Sequence, residues 1–236
     1  MPTLTCQMDC EFCINELTMQ SFDKNDVEQI KQIIKNENFE SVIIGGGEPL
    51  LWKYGVFNFI EELKPQNYLI QIGTNGILLD ENFHSNKSVQ RWVLPLESLN
   101  SKTHNKMRPS KVNHHQIILK RIEKLKDQEN SLTLSTVITK RNKDDIQELA
   151  EFFRGFHLTG NTPIHAWHLY QFIPTGRGGE FSKDLLLLDN ADYEAICDSI
   201  SLLKLPFKVF KRRNMPQAKT VTFFWKENNQ IQRSLT

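Results

Sequence analysis

The chain has 236 residues and a formal net charge of +1, and 39% of its residues are hydrophobic and 24% charged. A chain so close to neutral has no global field that would draw it to nucleic acid or to an anionic membrane, and its apolar stretches are too short and interrupted to cross a bilayer. The length and the lack of repeats or low-complexity linkers predict a single domain over residues 1–236, in which 205–236 form a short extension containing strands.

Helix-like and strand-like segments alternate from the N-terminus onward. The first helix is predicted at residues 25–34, because Val27, Ile30 and Ile34 share one face and Asp23 is available as its cap. In chain order, the predicted strands lie at 3–5, 40–44, 68–73, 91–98, 132–140, 166–174, 220–226 and 231–235, and the further helices at 52–63, around 118–125, at 144–156 and at 192–203. A polar loop is predicted between Asn100 and Asn113.

Strands that alternate with helices imply crossover connections and a parallel sheet. Counting Thr3–Thr5 as the first, we expect six such strands, which predicts an α/β fold with a barrel-like parallel sheet of fewer than eight strands. The strand at 91–98 is the least regular of them, because Pro95 cannot donate a ladder hydrogen bond. The segments 220–226 and 231–235 are predicted to pair with each other through a tight turn.

Most of the notable motifs follow predicted strands. They are the cysteine loop after the first strand, "GGGEP" after the second, "TNG" after the third, "LES" after the fourth and "IPTGRGG" after the sixth. In parallel α/β folds the functional groups gather at the C-terminal ends of the strands, so these motifs predict a site at one edge of the sheet. "GRGG" (176–179) is either a loop whose amides and Arg177 bind an anionic substrate or a plain flexible loop.

Three of the four cysteines, Cys6, Cys10 and Cys13, lie within eight positions, and Cys197 stands far downstream. Residues 2–9 lack the basic start and apolar run of a secretory signal, so we expect a reducing, cytoplasmic compartment, where clustered thiols bind metal or do redox work. A structural zinc site needs four protein ligands, and no second pair of Cys or His lies at a suitable distance. A cuboidal iron–sulfur cluster takes one thiolate per iron, so three cysteines would leave one iron open. An adventitious group of thiols or a zinc site stays an alternative here.

The pattern C-x3-C-x2-C, with Phe12 before its last cysteine and "GGEP" further along, resembles the radical S-adenosylmethionine (SAM) superfamily. The resemblance extends through "TNG" (74–76), "LESLNSKTHNKMR" (96–108) and "WHLYQF" (167–172). It implies a partial (β/α)6 barrel, in agreement with the strand count, forming one core domain without the added cysteines of auxiliary-cluster relatives. It also implies two cofactors: a 4Fe–4S cluster, three irons of which would be held by Cys6, Cys10 and Cys13, and SAM, which would chelate the fourth.

The same resemblance implies a SAM-binding role for residues near the glycine turn. Gly46 and Gly47 would let the backbone approach the methionine group of SAM closely. Glu48, or the backbone beside it, would bind the SAM ammonium through a charge-assisted contact, and Pro49 would stiffen the turn. Asn75 in "TNG" would belong to the site as a turn former that tolerates a left-handed conformation.

Residues further along the chain would complete the cofactor site. Phe12 would pack near the cluster and the adenine, and the backbone around Phe172 and Ile173 would receive the adenine edge. Ser135 matches a position where a polar residue reaches the SAM ribose, although it is equally explained as a small strand residue.

Two charged residues depart from the family pattern or have no fixed role in it. Glu97 stands where many relatives carry an aspartate, so its side chain is one methylene longer than theirs. Arg108 matches an arginine that is common after this loop, and we expect it to contact a carboxylate or a substrate phosphate.

The resemblance implies that the cluster cleaves SAM to methionine and a 5′-deoxyadenosyl radical, which abstracts hydrogen from a small or medium substrate. The tail, with "YQFIPTGRGG" and the terminal strand pair, looks faintly like viperin-type enzymes, which favours a nucleotide-like substrate. The reaction would need a low-potential electron donor such as flavodoxin or ferredoxin, and any substrate-binding cap is expected to be short or to come from a partner. Two alternatives stay open: a non-catalytic iron–sulfur binding module or partner subunit, and an activase that makes a glycyl radical.

Overall fold

The computed structural model describes residues 1–16, 18–213 and 221–234. Its strands, in chain order, are β1 (Met19–Gln20), β2 (Ser41–Ile44), β3 (Leu69–Gly73), β4 (Arg91–Pro95), β5 (Ser131–Ile138), β6 (Ile164–Gln171), β7 (Lys208–Arg212), β8 (Phe224–Glu227) and β9 (Gln230–Arg233). Its α-helices are α1 (Lys24–Asn36), α2 (Val56–Leu63), α3 (Ser101–Met107), α4 (His114–Lys124), α5 (Ile146–Thr159), α6 (Gly176–Leu186) and α7 (Asn190–Leu202).

Strands β2 to β7 form one sheet in chain order, and every neighbouring pair is parallel. The helices between them cover one face, where Trp167 of β6 packs edge-on against Phe153 of α5 with ring centroids 5.0 Å apart. The opposite, concave face is left free of these helices. The fold is therefore the partial (β/α)6 barrel that the sequence predicts.

The predicted number of six strands is confirmed, but one predicted member is wrong. Residues 3–5 lie beside the glycine turn, where Gly47 N–H donates to Thr3 O at 2.7 Å and Glu48 N–H donates to Thr5 O at 2.8 Å, without forming an assigned strand. The sixth strand is β7, which pairs with β6. It lies in a basic run, "KVFKRR", whose charges obscure the strand pattern; an edge strand tolerates such charges because one of its sides is unpaired.

Local sequence chemistry explains where α1 begins and which face it buries. The Asp23 side chain accepts from the backbone N–H groups of Asn25 and Asp26, and Asp26 returns a bond to the Asp23 N–H, which completes a capping box. Val27, Ile30 and Ile34 are buried, as their spacing predicts. Each fully buried side chain of this size contributes about 1.5–3 kcal/mol.

Three helix predictions need correction. The predicted loop between Asn100 and Asn113 contains α3, which Asn100 caps by accepting from two backbone N–H groups and which is too short to show a helical period. The predicted helix 52–63 begins only at Val56, because Gly55 has φ 90°, outside the helical region. The "GRGG" segment opens α6 instead of forming a loop.

The predicted terminal strand pair is confirmed by β8 and β9, which are antiparallel. β8 also pairs with β1, and Lys226 Nζ donates to carboxylate oxygens of Asp23 at 2.9 Å and Asp26 at 2.6 Å. This small sheet is thereby joined to the start of α1. Parts of the predicted extension 205–236, namely 214–220 and 235–236, lie outside the described residues, and the single domain with this extension stays a prediction.

No helix in the part of the chain that the structure describes is both long and apolar enough to span a membrane.

Candidate functional site

The three N-terminal cysteines lie on one loop between the glycine turn and α3. Cys6, Cys10 and Cys13 are free thiols of intermediate exposure, and Cys13 N–H donates to Cys10 O at 3.1 Å, which closes a tight turn between the last two. Cys197 is 1% exposed in α7 and belongs to the main core, as expected of an inert thiol. Burial raises the pKa of Cys10 to about 11, with Arg108 acting against it.

The "GRGG" segment at the start of α6 supports this cysteine loop. Gly178 N–H donates to Cys13 O at 3.1 Å, and Arg177 Nη2 donates to Met8 O at 2.9 Å. A Cβ on Gly178 would overlap Cys10 O and lie 2.7 Å from Cys13 N. Glycine is therefore required by the approach of two backbones, and neither the predicted anion loop nor a plain flexible loop describes this segment.

The other side of the cysteine loop rests against the end of α3. Glu11 N–H donates to Met107 O at 3.1 Å, and Glu11 also forms an ion pair with Arg141 at 3.2 Å. Phe12 is 7% exposed and packs with Met107, Phe172 and Leu186. The loop is thus held from at least two sides by residues of the chain itself.

Gly46 and Gly47 lie against the N-terminal segment. A Cβ on Gly46, where φ is +142°, would lie 2.6 Å from Thr3 O, and one on Gly47 would lie 2.5 Å from Thr5 O. Residues 3–5 leave no room for a side chain at either position, which explains why both residues are glycine. The sequence alone does not indicate this packing. The approach of both glycines to SAM stays a prediction.

Glu48 is fully buried and holds the glycine turn to the "TNG" turn. Its Oε1 accepts from Thr74 Oγ1 at 2.7 Å and from Leu50 N at 3.1 Å, and its Oε2 accepts from Asn75 N at 2.8 Å. Burial raises the pKa of Glu48, against the opposing effect of these hydrogen bonds. Pro49 is buried at the start of a 3₁₀ turn that Glu48 caps.

Asn75 forms its turn in a different way from the one predicted. The left-handed residue of "TNG" is Gly76, with φ +76°, and Asn75 does not have a positive φ. Asn75 Oδ1 instead accepts from Ile77 N at 3.0 Å, an Asx turn. Its Nδ2 is then free to donate to Cys6 Sγ at 3.8 Å, so the side chain reaches the cysteine loop.

Glu97 and Arg108 form a buried ion pair beside the cysteines. Arg108 Nε and Nη2 both lie 2.7 Å from Glu97 Oε1, and Val137 N–H donates to Glu97 Oε2 at 2.7 Å. Arg108 Nη1 also donates to Cys10 Sγ at 3.7 Å, and the guanidinium stacks 4.9 Å from the Phe12 ring centre. The carboxylate that Arg108 contacts is therefore one of the chain's own.

Two histidines for which the sequence predicts no role lie behind these residues. His104 Nδ1 accepts from Glu97 N at 3.1 Å, its Nε2 lies 2.8 Å from His114 Nδ1, and His114 Nε2 lies 2.8 Å from Asn75 O. Both side chains are fully buried. The signal in the sequence is only the pair of histidines in and after "LESLNSKTHNKMR", with nothing to indicate their contact.

Of the residues predicted to contact the nucleoside part of SAM, Ser135 lies opposite His168 in the register of β5 and β6, and its carbonyl accepts from Leu96 N at 3.0 Å. Phe172 N–H donates to Ile138 O at 3.4 Å at the end of β6. Phe172 and Ile173 line a cavity of about 740 Å³ at this edge of the sheet. Phe172 and Ile173 thus lie at this edge, whereas Ser135 lies further back along β5, and the contacts of all three to SAM stay predictions.

The concave face near these residues carries a polar and aromatic row from β6 and β7. His168 Nδ1 lies 3.2 Å from the Tyr170 hydroxyl, and the Phe210 ring meets His168 edge-on with centroids 5.2 Å apart. The Arg212 guanidinium stacks 4.8 Å from the Phe210 ring centre, and its Nε has no hydrogen-bond partner among the described residues. Burial, followed by the charge of Arg212, lowers the pKa of His168 to about 4.

The cysteine loop fits a cluster better than a single ion. Within residues 1–16, 18–213 and 221–234, no group of three or more His, Cys, Asp or Glu side chains converges on one metal position. A 4Fe–4S cluster binds each thiolate through a different iron, so its ligands need not converge. Hydrogen-bond donors already face Cys6 and Cys10 from Asn75 and Arg108, as thiolate sulfurs require.

Comparison with known proteins gives one family and several distant relatives. The family model described as the radical SAM superfamily matches residues 1–153. An AdoMet-dependent heme synthase of Methanosarcina barkeri is 27% identical over 82% of this chain and 54% of its own length. A GTP 3′,8-cyclase of Aquifex aeolicus is 24% identical over 96% of this chain and 69% of its own.

Solved structures share the fold at low identity. Streptococcus suis SuiB bound to S-adenosylmethionine aligns with a TM-score of 0.69 and 18% identity over 89% of this chain and 49% of that one. Native anSMEcpe with bound AdoMet aligns with a TM-score of 0.63 and 18% identity over 88% of this chain and 61% of that one. The chain thus spans about half the length of the heme synthase and of SuiB.

Proposed function

The chain belongs to the radical SAM superfamily, and we propose on that basis that it is an enzyme that abstracts hydrogen from a substrate with a SAM-derived radical. The cofactors of this superfamily are a 4Fe–4S cluster and SAM, which together supply the 5′-deoxyadenosyl radical when bound. The main support for the proposal is the loop that carries Cys6, Cys10 and Cys13. Other segments of the chain pack against this loop from two sides, and hydrogen-bond donors point at the sulfurs of Cys6 and Cys10.

Cys6, Cys10 and Cys13 would each bind one iron of the cluster. Cys197 is buried in the core, so the three-cysteine set leaves one iron for SAM. Arg108 and Asn75 would offset the negative charge of two thiolates. Phe12, buried between Arg108 and Phe172, would keep water from that side of the cluster.

SAM would lie at the edge formed by the glycine turn and the ends of β5 and β6. Gly46, Gly47 and Pro49 would shape the pocket for its methionine group. A carboxylate has about four acceptor positions, and three of those of Glu48 are already filled by the chain. One position is left for the ammonium, so backbone carbonyls beside Glu48 would supply the other contacts.

The nucleoside part of SAM would meet Ser135 at the ribose and the backbone of Phe172 and Ile173 at the adenine. Ser135 lies within β5, three residues before its end, and Phe172 and Ile173 follow the end of the neighbouring strand β6. Glu97 would act through Arg108, since its carboxylate is engaged by that guanidinium and by Val137 N–H.

For the substrate we favour a nucleotide-like molecule bound on the concave face. Arg212 stacked on Phe210, with Tyr170 nearby, offers a guanidinium that binds phosphate and aromatic rings that stack on a base. The neutral His168 adds a hydrogen-bonding group without competing charge. The similarity to GTP 3′,8-cyclases supports the same choice.

A low-potential donor such as flavodoxin or ferredoxin would supply the electron. The proposal is tested by reconstituting the protein anaerobically with iron and sulfide, adding SAM and dithionite, and measuring 5′-deoxyadenosine by mass spectrometry. We expect 5′-deoxyadenosine from the wild type, none from Cys10→Ala, and a wild-type amount from Cys197→Ala as the matched control.

A full cluster that never yields 5′-deoxyadenosine, with or without nucleoside triphosphates, would favour the non-catalytic iron–sulfur module. The substrate proposal has its own test. A nucleotide that accelerates formation of 5′-deoxyadenosine in the wild type is expected to lose that effect in Arg212→Met, while the slow cleavage of SAM without substrate stays unchanged.

A further inference from the structure

A line of hydrogen bonds joins the thiol of Cys6 to the thiol of Cys10 through residues outside the cysteine loop. We propose that His104 and His114 are positioning residues that hold the two donors at its ends, Asn75 and Arg108, and thereby set the reduction potential of the cluster. The inference rests on the proposed cluster site, but not on the cleavage of SAM.

The first end of the line is the "TNG" turn. Asn75 Nδ2 donates to Cys6 Sγ at 3.8 Å, and the Asn75 carbonyl lies 2.8 Å from His114 Nε2. His114 belongs to α4 and Cys6 to the N-terminal loop, so Asn75 joins two segments that are otherwise remote in sequence. Asn75 N–H is also bound by Glu48 at 2.8 Å, which leaves its backbone little freedom.

The second end is the buried ion pair. Arg108 Nη1 donates to Cys10 Sγ at 3.7 Å, and the rest of the guanidinium is held by Glu97 Oε1. Glu97 is in turn fixed through its backbone N–H, which donates to His104 Nδ1 at 3.1 Å. Loss of His104 would leave this N–H without its partner and remove one of the contacts that place Glu97, which Val137 N–H and Asn142 Nδ2 also hold.

The middle of the line permits a single arrangement of protons. A backbone N–H can only donate, so His104 Nδ1 carries no proton and its Nε2 does. That Nε2–H donates to His114 Nδ1, and His114 Nε2–H donates to the carbonyl of Asn75. Every ring nitrogen is used, and each histidine is neutral, in keeping with its full burial.

The geometry of the pair makes it rigid. The His104 and His114 rings lie side by side in nearly the same plane, with centroids 5.0 Å apart and planes 18° from parallel, as their 2.8 Å hydrogen bond between Nε2 and Nδ1 requires. His115 meets His104 edge-on at 5.4 Å, but its Nε2 has no partner in the described part of the chain and it takes no part in the line. His115 therefore offers a control with the same side chain on the same helix.

Donors that face cluster sulfurs stabilise the more negative, reduced state and raise the potential. The line supplies one amide donor and one guanidinium charge, both held by the histidine pair. Loss of either histidine leaves a buried N–H or carbonyl without a partner, so the loops that carry Asn75 and Glu97 must shift.

The test is an EPR-monitored redox titration of the anaerobically reconstituted protein. In His104→Phe and His114→Phe we expect the midpoint potential to fall by about 59 mV, which is a tenfold change in the ratio of oxidised to reduced cluster for one electron. His115→Phe is expected to keep the wild-type potential. His114→Gln, whose amide can also accept and donate, is expected to lie between the two.

A His104→Phe protein with four irons and the wild-type potential would overturn the inference. If that variant does not fold, His114→Gln tests the inference in its place. A wild-type potential in His114→Gln together with loss of 5′-deoxyadenosine would overturn the inference, because the pair would then affect the cleavage of SAM without affecting the reduction potential of the cluster. A shifted potential in a protein that never cleaves SAM would sustain this inference and refute the proposed activity. A wild type that binds no cluster would refute both.

Discussion

Replacing His104 or His114 by phenylalanine also tests whether the buried pair makes the fold sensitive to acid. Both imidazoles are fully buried. Burial, followed by the nearby charge of Arg108, lowers the pKa of His104 to about 2 and that of His114 to about 4. The other groups that face the pair are His115, which adds to the lowering, and Glu97, which offers its backbone N–H and keeps its carboxylate on Arg108.

The size of the effect follows from these pKa values. A histidine in the unfolded chain has a pKa of about 6.5, so the unfolded state binds more protons than the folded state below that pH. The stability that depends on the neutral pair is fully present above pH 6.5 and is lost as the pH falls toward the folded values. Well below pH 6.5 each histidine changes the free energy of unfolding by about 1.4 kcal/mol per pH unit. The change is smaller near pH 6.5, so the pair removes about 3 kcal/mol between pH 6.5 and 5.

The assay is urea unfolding of the reconstituted protein followed by tryptophan fluorescence at pH 7, 6 and 5. His104→Phe is less stable than the wild type at pH 7, but its free energy of unfolding is expected to fall less steeply between pH 7 and 5, by about 1 kcal/mol per pH unit on average. Met107→Leu, a buried and non-titrating change in α3, is the control that lowers stability without altering the slope. Equal slopes in the wild type and in both histidine variants would refute the reasoning.

Two further predictions concern the loops that hold the site. Gly178→Ala would place a Cβ against the backbone of the cysteine loop, so iron bound after reconstitution is expected to drop at least several-fold. Gly155→Ala in α5, where nothing lies within 4 Å, is expected to keep full iron and to gain about 0.5–1 kcal/mol; equal iron in both variants would contradict the prediction. Glu48→Gln places an amide N–H against a buried backbone N–H and is expected to cost about 1–3 kcal/mol, read as a fall in Tm that Thr74→Ser does not show.

The sequence was sufficient for the elements whose period or cap is complete. α1 follows from Val27, Ile30 and Ile34 with Asp23 as its cap, and the placement of the glycine turn and the cysteine loop at one edge follows from the alternation of strands and helices. Pro95 weakened the prediction of β4, yet the strand is present, because Pro95 is its last residue. There a missing N–H ends the ladder instead of interrupting it.

Other features could not be predicted because their cause is tertiary. α3 is shorter than two helical turns, so two buried residues, His104 and Met107, are all the pattern that it offers. Residues 208–212 form a strand because β6 lies beside them, although their charges favour an exposed loop. The approach of Gly178 to the cysteine loop joins positions far apart in the chain, and no local signal reports it.

The roles of Glu48 and Glu97 show why a motif can be found before its purpose is understood. Both are charged residues in loops, which suggests ligand contacts, yet both are fully buried and bound by the chain itself. Asn75 donates its backbone N–H to Glu48 and accepts from His114 at its carbonyl, so the "GGE", "TNG" and "LES" loops fix one another. These loops are therefore ordered when the chain folds, before a ligand binds, and ligand binding loses less free energy to ordering them.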